Sequence, residues 1–148
     1  MPTLADPATR ASLVTRIARL TPDRTPRWGR MNAPQMLAHC SDAMRMAYGE
    51  VVCEPKRVPI VQLGIVKWLV LNVLPFPKSA PTAPELLSRS PAPWDEERAQ
   101  LAALVQRFGD ESKRASWPQH PLFGTLTGAQ WGQLGWKHLD HHLGQFGV

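Results

Sequence analysis

Prolines restrict the possible folds of this chain more than any other feature of its sequence. Six of the fifteen prolines lie in residues 75–93, which read PFPKSAPTAPELLSRSPAP. Because proline fixes φ and lacks a backbone N–H, this density is incompatible with a regular helix or a central strand. The segment is therefore predicted to be an extended connector, and regular structure is expected on either side of it.

An amphipathic first helix is predicted over residues 7–20. Its apolar residues Leu13, Ile17 and Leu20 recur at helical spacing, and arginines occupy much of the remaining surface. The sequence TPDRTP follows directly and contains two prolines, so the helix is expected to end there.

The second predicted helix has clear start and stop signals. Asn32 is a favoured N-cap, and Gln35 stands three residues later, where it can complete a capping box. The helix is expected to run to about Tyr48, because Gly49 is a natural residue for a helix C-terminus.

The most apolar stretch of the chain covers residues 58–76 (VPIVQLGIVKWLVLNVLPF). Gln62, Lys67 and Asn72 interrupt it, so it falls short of the roughly 20 clean apolar residues that a membrane span needs. We expect a third helical segment over about residues 60–74. It is predicted to be buried against protein, or in a homodimer interface if its apolar face is left uncovered, rather than to lie on a membrane surface.

Two more helices are predicted after the connector. One runs from Trp94 to about Phe108, with acidic residues in its first turn that suit the helix dipole, and Gly109 is expected to close it. The last runs from about Thr127, a possible N-cap, to Gln145. No alternating strand pattern or internal repeat occurs, so the sequence predicts an all-α antiparallel helix bundle. The 148 residues, 43% of them apolar, are expected to form one domain, residues 1–148.

The net charge of +5 invites a nucleic-acid interpretation, but the cationic residues do not cluster. No run of lysines and arginines interleaves with stacking aromatic residues, so no nucleic-acid partner is expected. The two cysteines allow a single pairing, and the N-terminus lacks the basic and apolar regions of a secretory signal. A reduced, cytoplasmic protein is therefore expected.

The last predicted helix carries two histidines four residues apart. At about 100° per residue, His138 and His142 lie within about 40° of each other on one face, the spacing with which a helix chelates a metal ion. Trp131 and Leu134 share this face, so the histidines are predicted to face the core. An HxxxH pattern is a weak signal by itself, since hydrogen-bonded core histidines are common.

The second predicted helix supplies a third candidate ligand, His39, which shares a face with Met36 and Ala43. Metal sites in bundles take ligands from facing helices, so His39 can meet the other two if the helices are neighbours, which the spacing leaves open. Asp42 could orient a ligand or act as a general base, but an ion pair is the favoured interpretation. Cys40 is interpreted as a small buried hydrophobic residue.

Three separated blocks of the sequence resemble a known family. They are WGRMNAPQMLAHCSDA, PFPKSAPTAPEL and HPLFGTLTGAQWGQLGWKHLDHHLGQFGV, and the likeness covers about residues 27–148. The chain resembles the DinB/YfiT-like superfamily and, more narrowly, a domain-of-unknown-function branch of it. The resemblance implies a DinB-like antiparallel four-helix bundle, here with an extra apolar helical segment and a Pro-rich connector. It also implies a three-histidine metal site, which falls on His39, His138 and His142.

The resemblance further implies a function that depends on a divalent metal ion. Zn, Ni or Fe would suit three imidazole ligands, which do not discriminate sharply among them. The implied activities are a metal-dependent hydrolase or a transferase that uses a low-molecular-weight thiol, each acting on a small-molecule substrate. Leu143 stands where the family pattern has Arg, and His120 and His141 receive no ligand role. The alternative is a non-catalytic metal- or ligand-binding bundle, because no acid–base residue is placed by the sequence.

Overall fold

The structure, a computed structural model, describes residues 1–56, 58–78 and 82–148. These residues are mostly helical and include no strand, which confirms the all-α prediction. The helices are, in chain order, α1 (Pro7–Ala18), α2 (Ala33–Tyr48), α3 (Pro59–Gln62), α4 (Gly64–Asn72), α5 (Trp94–Glu111) and α6 (Gly128–Gln145), with a single 3-10 turn at Pro84–Leu86 before α5.

Local sequence signals determine the ends of α2 and α6. The Asn32 side chain accepts from the backbone N–H of Gln35, and the Gln35 side chain accepts from the backbone N–H of Asn32. Thr127 and Gln130 form the same reciprocal capping box at α6. At the end of α2, Gly49 adopts the left-handed conformation with φ 83°, which glycine tolerates without a steric penalty. The predicted start and end of α2 are confirmed.

The predicted ends of α1 and α5 need correction. α1 ends at Ala18, before Leu20. α5 continues through Gly109 to Glu111, so the prediction that this glycine closes the helix was wrong. A Cβ at Gly109 would lie 2.6 Å from Nη2 of Arg10, so the glycine allows close packing by α1. A glycine inside a helix costs only about 1 kcal/mol relative to alanine, so this residue need not end α5.

The four long helices contact one another around a shared core. α2 packs on α5 and α6, and α1 also packs on α5 and α6. The core comprises buried apolar side chains from all four, among them Leu13, Ile17, Met36, Leu37, Leu101, Val105, Phe108, Leu139 and Leu143. The contact between α2 and α6 places the predicted histidine-bearing helices side by side.

The apolar segment is helical over most of residues 60–74, as predicted, but a break divides it into two helices and much of it is exposed rather than buried against protein. Leu63 has extended backbone angles and separates α3 from α4, and neither helix has a side-chain N-cap. Ile65 and Trp68 are more than half exposed, whereas Leu71 is buried where α4 contacts α6. The expected dimer interface stays a prediction. None of the helices in the described residues combines the length and the hydropathy that a membrane span requires.

Ion pairs attach the end of the connector to α2 and α5. Residues 82–93 are irregular apart from the 3-10 turn, as predicted, and residues 79–81 of the connector lie outside the described part of the chain. Arg89 donates to both carboxylate oxygens of Asp42 at 3.1 Å and to both oxygens of Glu97 at 2.7 Å. The Glu97 side chain is fully buried, and the backbone N–H of Ala92 donates to it at 2.9 Å. This network fixes the position of the 3-10 turn against α2.

Candidate metal centre

Three histidines from two helices converge inside the protein. His39 lies on α2, and His138 and His142 lie on successive turns of α6. One ring nitrogen from each lies within 4.8 Å of the other two, and the ring centroids are 4.6 to 4.9 Å apart. The helices that bear the predicted ligands are therefore neighbours, and the three histidines could hold a metal ion.

Hydrogen bonds fix the orientation of two of the three rings. Nδ1 of His39 lies 3.3 Å from the carbonyl oxygen of Leu86, and Nδ1 of His142 lies 2.9 Å from Oε1 of Gln145. The Gln145 amide donates in turn to the carbonyl oxygen of Trp28 at 2.6 Å, which leaves Oε1 as the acceptor that faces His142. Because both partners are acceptors, each Nδ1 carries the proton. Nε2 of His39 and Nε2 of His142 are then free to ligate.

The resulting arrangement suits a cation. Nε2 of His39 lies 2.9 Å from Nε2 of His138, and His142 presents a second unprotonated nitrogen to the same space. A proton on His138 could satisfy only one of these two acceptors. A divalent ion would satisfy all three rings together, so the side chains present fit a metal ion.

Burial keeps these imidazoles neutral. Desolvation lowers the pKa of His39, lowers that of His142 to about 3, and holds that of His138 well below its ordinary value. For His138 and His142, the neighbouring histidines lower the pKa further, because two protonated rings at this distance would repel each other. Since the neutral ring is the form that ligates metal ions, the site needs no proton release to bind one at neutral pH.

The three histidines lie on the wall of a cavity of about 480 Å³. This volume is in the range of small-molecule sites, which measure roughly 300–1,000 Å³. Much of the remaining wall is apolar and comes from α2, α5, α6 and the connector, with Met44, Leu86, Phe108, Trp131 and Leu134 among the contributors. A small molecule in this space would lie beside the imidazole nitrogens.

The other two histidines line the same cavity but do not join the cluster. The ring of His141 lies edge-on to Trp28 with centroids 5.6 Å apart. Nδ1 of His120 accepts the backbone N–H groups of Leu122 and Phe123 at 3.1 and 3.2 Å, so its proton lies on Nε2. Burial lowers the pKa of His120 to about 4, and that ring is neutral at pH 7.

Residues 8–147, almost the whole chain, match a protein family described as "Protein of unknown function (DUF1569)". The chain belongs to this family. No curated protein and no solved structure matches it. The DUF1569 match spans all three histidines, and its description names no ligand, reaction or wider superfamily.

Asp42 and Cys40 have the roles that the sequence favoured. Asp42 pairs with Arg45 at 2.8 Å and with Arg89 at 3.1 Å, so its carboxylate belongs to the ion-pair network on α2. Cys40 is buried with Sγ 3.7 Å from the sulfur of Met36, and burial raises the pKa of its thiol. A neutral, buried thiol is a poor nucleophile, and Cys40 packs as a small hydrophobic residue.

Two groups that orient the histidines were missed by sequence reasoning. Gln145 was predicted only as the last residue of the final helix, although its position three residues after His142 is the signal of a side-chain hydrogen bond along a helix. The sequence contains no signal for the role of the Leu86 carbonyl, because a backbone acceptor can come from any residue type. Only the path of the connector brings it to His39.

Proposed function

We propose that the protein binds one divalent metal ion through His39, His138 and His142 and acts as a metal-dependent hydrolase. The observation that carries this proposal is a pair of hydrogen bonds, in which His39 donates to Leu86 and His142 donates to Gln145, and which leave Nε2 of both rings unprotonated. When bound, a divalent ion supplies a Lewis acid that polarises a substrate carbonyl and activates water.

The number of ligands supports a catalytic site over a structural one. Structural zinc sites generally close with four protein ligands, whereas catalytic sites keep a position open. Within the described residues, the histidine cluster includes no fourth histidine, cysteine or carboxylate. The adjoining cavity supplies the space in which a small-molecule substrate can approach the open position. These two observations argue against the non-catalytic alternative.

The helix arrangement is compatible with a DinB-like four-helix bundle. α1, α2, α5 and α6 supply the four long helices, and their contacts join each of α1 and α2 to both α5 and α6. One ligand lies on the second of these helices and two on the last, which is the pattern of the DinB/YfiT-like resemblance. In this proposal, α3 and α4 are the extra apolar segment.

A thiol S-transferase is the second candidate, and the charge of the cavity favours it. Arg30, Lys56 and Lys78 line the cavity, and no acidic residue does so in the described part of the chain. The carboxylates of a low-molecular-weight thiol would find cationic partners there. The two reactions are distinguished by whether turnover requires added thiol.

Metal titration tests the proposed site. We expect close to one Zn or Ni ion per chain in untagged protein, no tight binding in His142→Ala, and a loss of about 10–100-fold in affinity in Gln145→Ala. The control is His141→Ala, which changes the adjacent cavity-lining histidine outside the cluster and should retain the wild-type affinity. Unchanged affinity in His142→Ala would contradict the assignment.

A substrate screen then tests the hydrolase. Esters and amides of small acids are assayed with the metal-loaded protein, after chelation, and after readdition of the metal. We expect hydrolysis that chelation abolishes and the metal restores. Hydrolysis that persists in the chelated protein, or turnover that appears only with added thiol, counts against the hydrolase.

A further inference from the structure

We propose that the cavity binds an amphipathic anion, a carboxylate carried on an alkyl or aryl body. Its head is held at the end of the cavity formed by Lys56, His120 and Trp131, and its apolar body extends toward the histidine cluster. This inference names the substrate class of the proposed metal site and in that sense rests on the proposed function. The binding step itself can be measured without metal.

The wall between the two ends of the cavity is apolar. On α6, Trp131, Leu134 and His138 share one face, and at 1.5 Å rise per residue the first and last are about 10 Å apart along the helix axis. Met44 on α2 and Phe108 on α5 also line the cavity. Water in such a space finds few hydrogen-bond partners, so its replacement by a hydrocarbon body is favourable.

One buried N–H donor at the head end has no acceptor, and the N–H of a second ring lies beside it. Nε1 of Trp131 is buried and has no hydrogen-bond partner within the described residues, and the whole side chain is only 3% exposed. His120 carries its proton on Nε2, because two backbone N–H groups occupy Nδ1. The two rings lie 5.3 Å apart between centroids, and both line the cavity. Because a buried donor without an acceptor is costly, a ligand oxygen near this pair would be stabilising.

The positive charge of the cavity wall indicates that this ligand oxygen belongs to an anionic group. Lys56 lines the cavity, and its backbone N–H donates to the Pro121 carbonyl at 2.8 Å, which places the Lys56 backbone beside the loop that carries His120. Arg30 and Lys78 line the wall as well. The Lys78 ammonium lies 4.9 Å from the centroid of the Trp28 ring, on the side of His141, and in the described part of the chain none of these three cations forms a salt bridge. With no acidic residue among the described residues of the wall, a carboxylate meets only favourable charge.

The first experiment compares ligands that share one alkyl body. Octanoate, 1-octanol and octylammonium are titrated calorimetrically into the full chain after treatment with a chelator. We expect octanoate to saturate one site with an affinity about tenfold higher than that of 1-octanol, because hydrogen bonds to a charged oxygen are the stronger ones. Octylammonium should bind most weakly. Octanoate that binds no better than 1-octanol, or that shows no saturation, overturns the proposal.

Variants then locate the head and the body. Trp131→Phe removes the indole N–H and should weaken octanoate about tenfold, and Lys56→Met removes an exposed charge and should weaken it about threefold. Lys113→Met, an exposed lysine outside the cavity, is the matched control and should change nothing. Ala43→Leu adds bulk to the cavity wall and should weaken octanoate and 1-octanol alike. Unchanged octanoate affinity in Trp131→Phe places the head elsewhere and overturns the assignment.

Metal titration of the same variants separates this inference from the proposed function. Lys56→Met and Trp131→Phe should bind Zn or Ni as the wild type does, because neither side chain orients a ligand histidine. If the wild type binds octanoate but no metal, the proposed function fails and the anion site stands. If it binds metal but not octanoate, the anion site fails alone.

Discussion

The helices that carry the three histidines differ from the region that joins α2 to α5 in their capping, their length and their burial. α2 and α6 each begin with a reciprocal capping box and bury a continuous face. In the joining region, α3 and α4 have four and nine residues and no side-chain cap, and Ile65 and Trp68 on α4 are exposed. Local signals therefore specify the histidine-bearing helices, whereas tertiary contacts hold the region between them.

Several of these tertiary contacts involve single side chains. Leu71 is buried against the core, the Lys137 ammonium on α6 donates to the Val70 carbonyl, and Arg89 joins Asp42 to Glu97. The joining region nevertheless forms part of the cavity wall and supplies the Leu86 carbonyl to His39. The joining region, whose conformation depends least on local sequence signals, thus supplies part of the site whose histidines lie on α2 and α6.

Removal of the Arg89 guanidinium should have the largest effect. Arg89→Met leaves Asp42 and Glu97 without their shared partner, and breaking a buried pair costs about 3–5 kcal/mol. Urea unfolding should show this loss. The control is Arg98→Met, which removes an exposed i,i+3 pair with Asp95 and should cost less than about 1 kcal/mol. Equal effects in the two variants would show that the network does not hold the connector.

The buried side of α4 should be the next most sensitive position. Leu71→Ala removes a side chain that is 1% exposed and should lower the free energy of unfolding by about 2–5 kcal/mol. Ile65→Ala, on the exposed side of the same helix, should change it by no more than about 0.5 kcal/mol. A large loss in Ile65→Ala, particularly one that depends on protein concentration, would instead support the dimer interface.

Acid should loosen the connector before it unfolds the whole chain. Burial opposes the ionisation of Glu97, but hydrogen bonds from Arg89 and Ala92 outweigh it and lower the pKa to about 2. Because the folded pKa is below the ordinary value of 4.5, the unfolded state binds more protons between these values, and stability falls as the pH is lowered from about 4.5 toward 2. Unfolding curves of Glu97→Gln across this range should lack that component. An identical pH dependence in both proteins would contradict the assignment.

The capping boxes should have smaller and similar effects. Asn32→Ala and Thr127→Ala each remove a side-chain acceptor from a helix N-terminus and should cost about 0.5–2 kcal/mol. Thr15→Ala, on the exposed face of α1, removes only a side-chain hydrogen bond to the Ala11 carbonyl and should be close to neutral. Thermal unfolding of the three variants side by side measures the difference. Cap variants with a near-neutral effect would show that the capping boxes contribute little to the stability of α2 and α6.

The same contrast explains how far the sequence could predict this molecule. Asn32, Gly49 and Thr127 act on their immediate neighbours, so the ends that depend on them were predictable from residue type. The HxxxH spacing placed His138 and His142 on one face for the same reason. The packing of Arg10 against Gly109 and the hydrogen bond from His39 to Leu86 depend on residues distant in sequence, and no local pattern records them.

The hydrogen bond between His39 and the Leu86 carbonyl makes the connector and the proposed metal ion thermodynamically linked. If a bound ion requires His39 in the orientation that Leu86 maintains, the ion binds more tightly when the 3-10 turn is in place. Linkage is reciprocal, so the bound ion must stabilise the turn by the same free energy that the turn contributes to binding. Metal affinity and the protection of connector amides from hydrogen exchange would then be two measurements of the same coupling free energy.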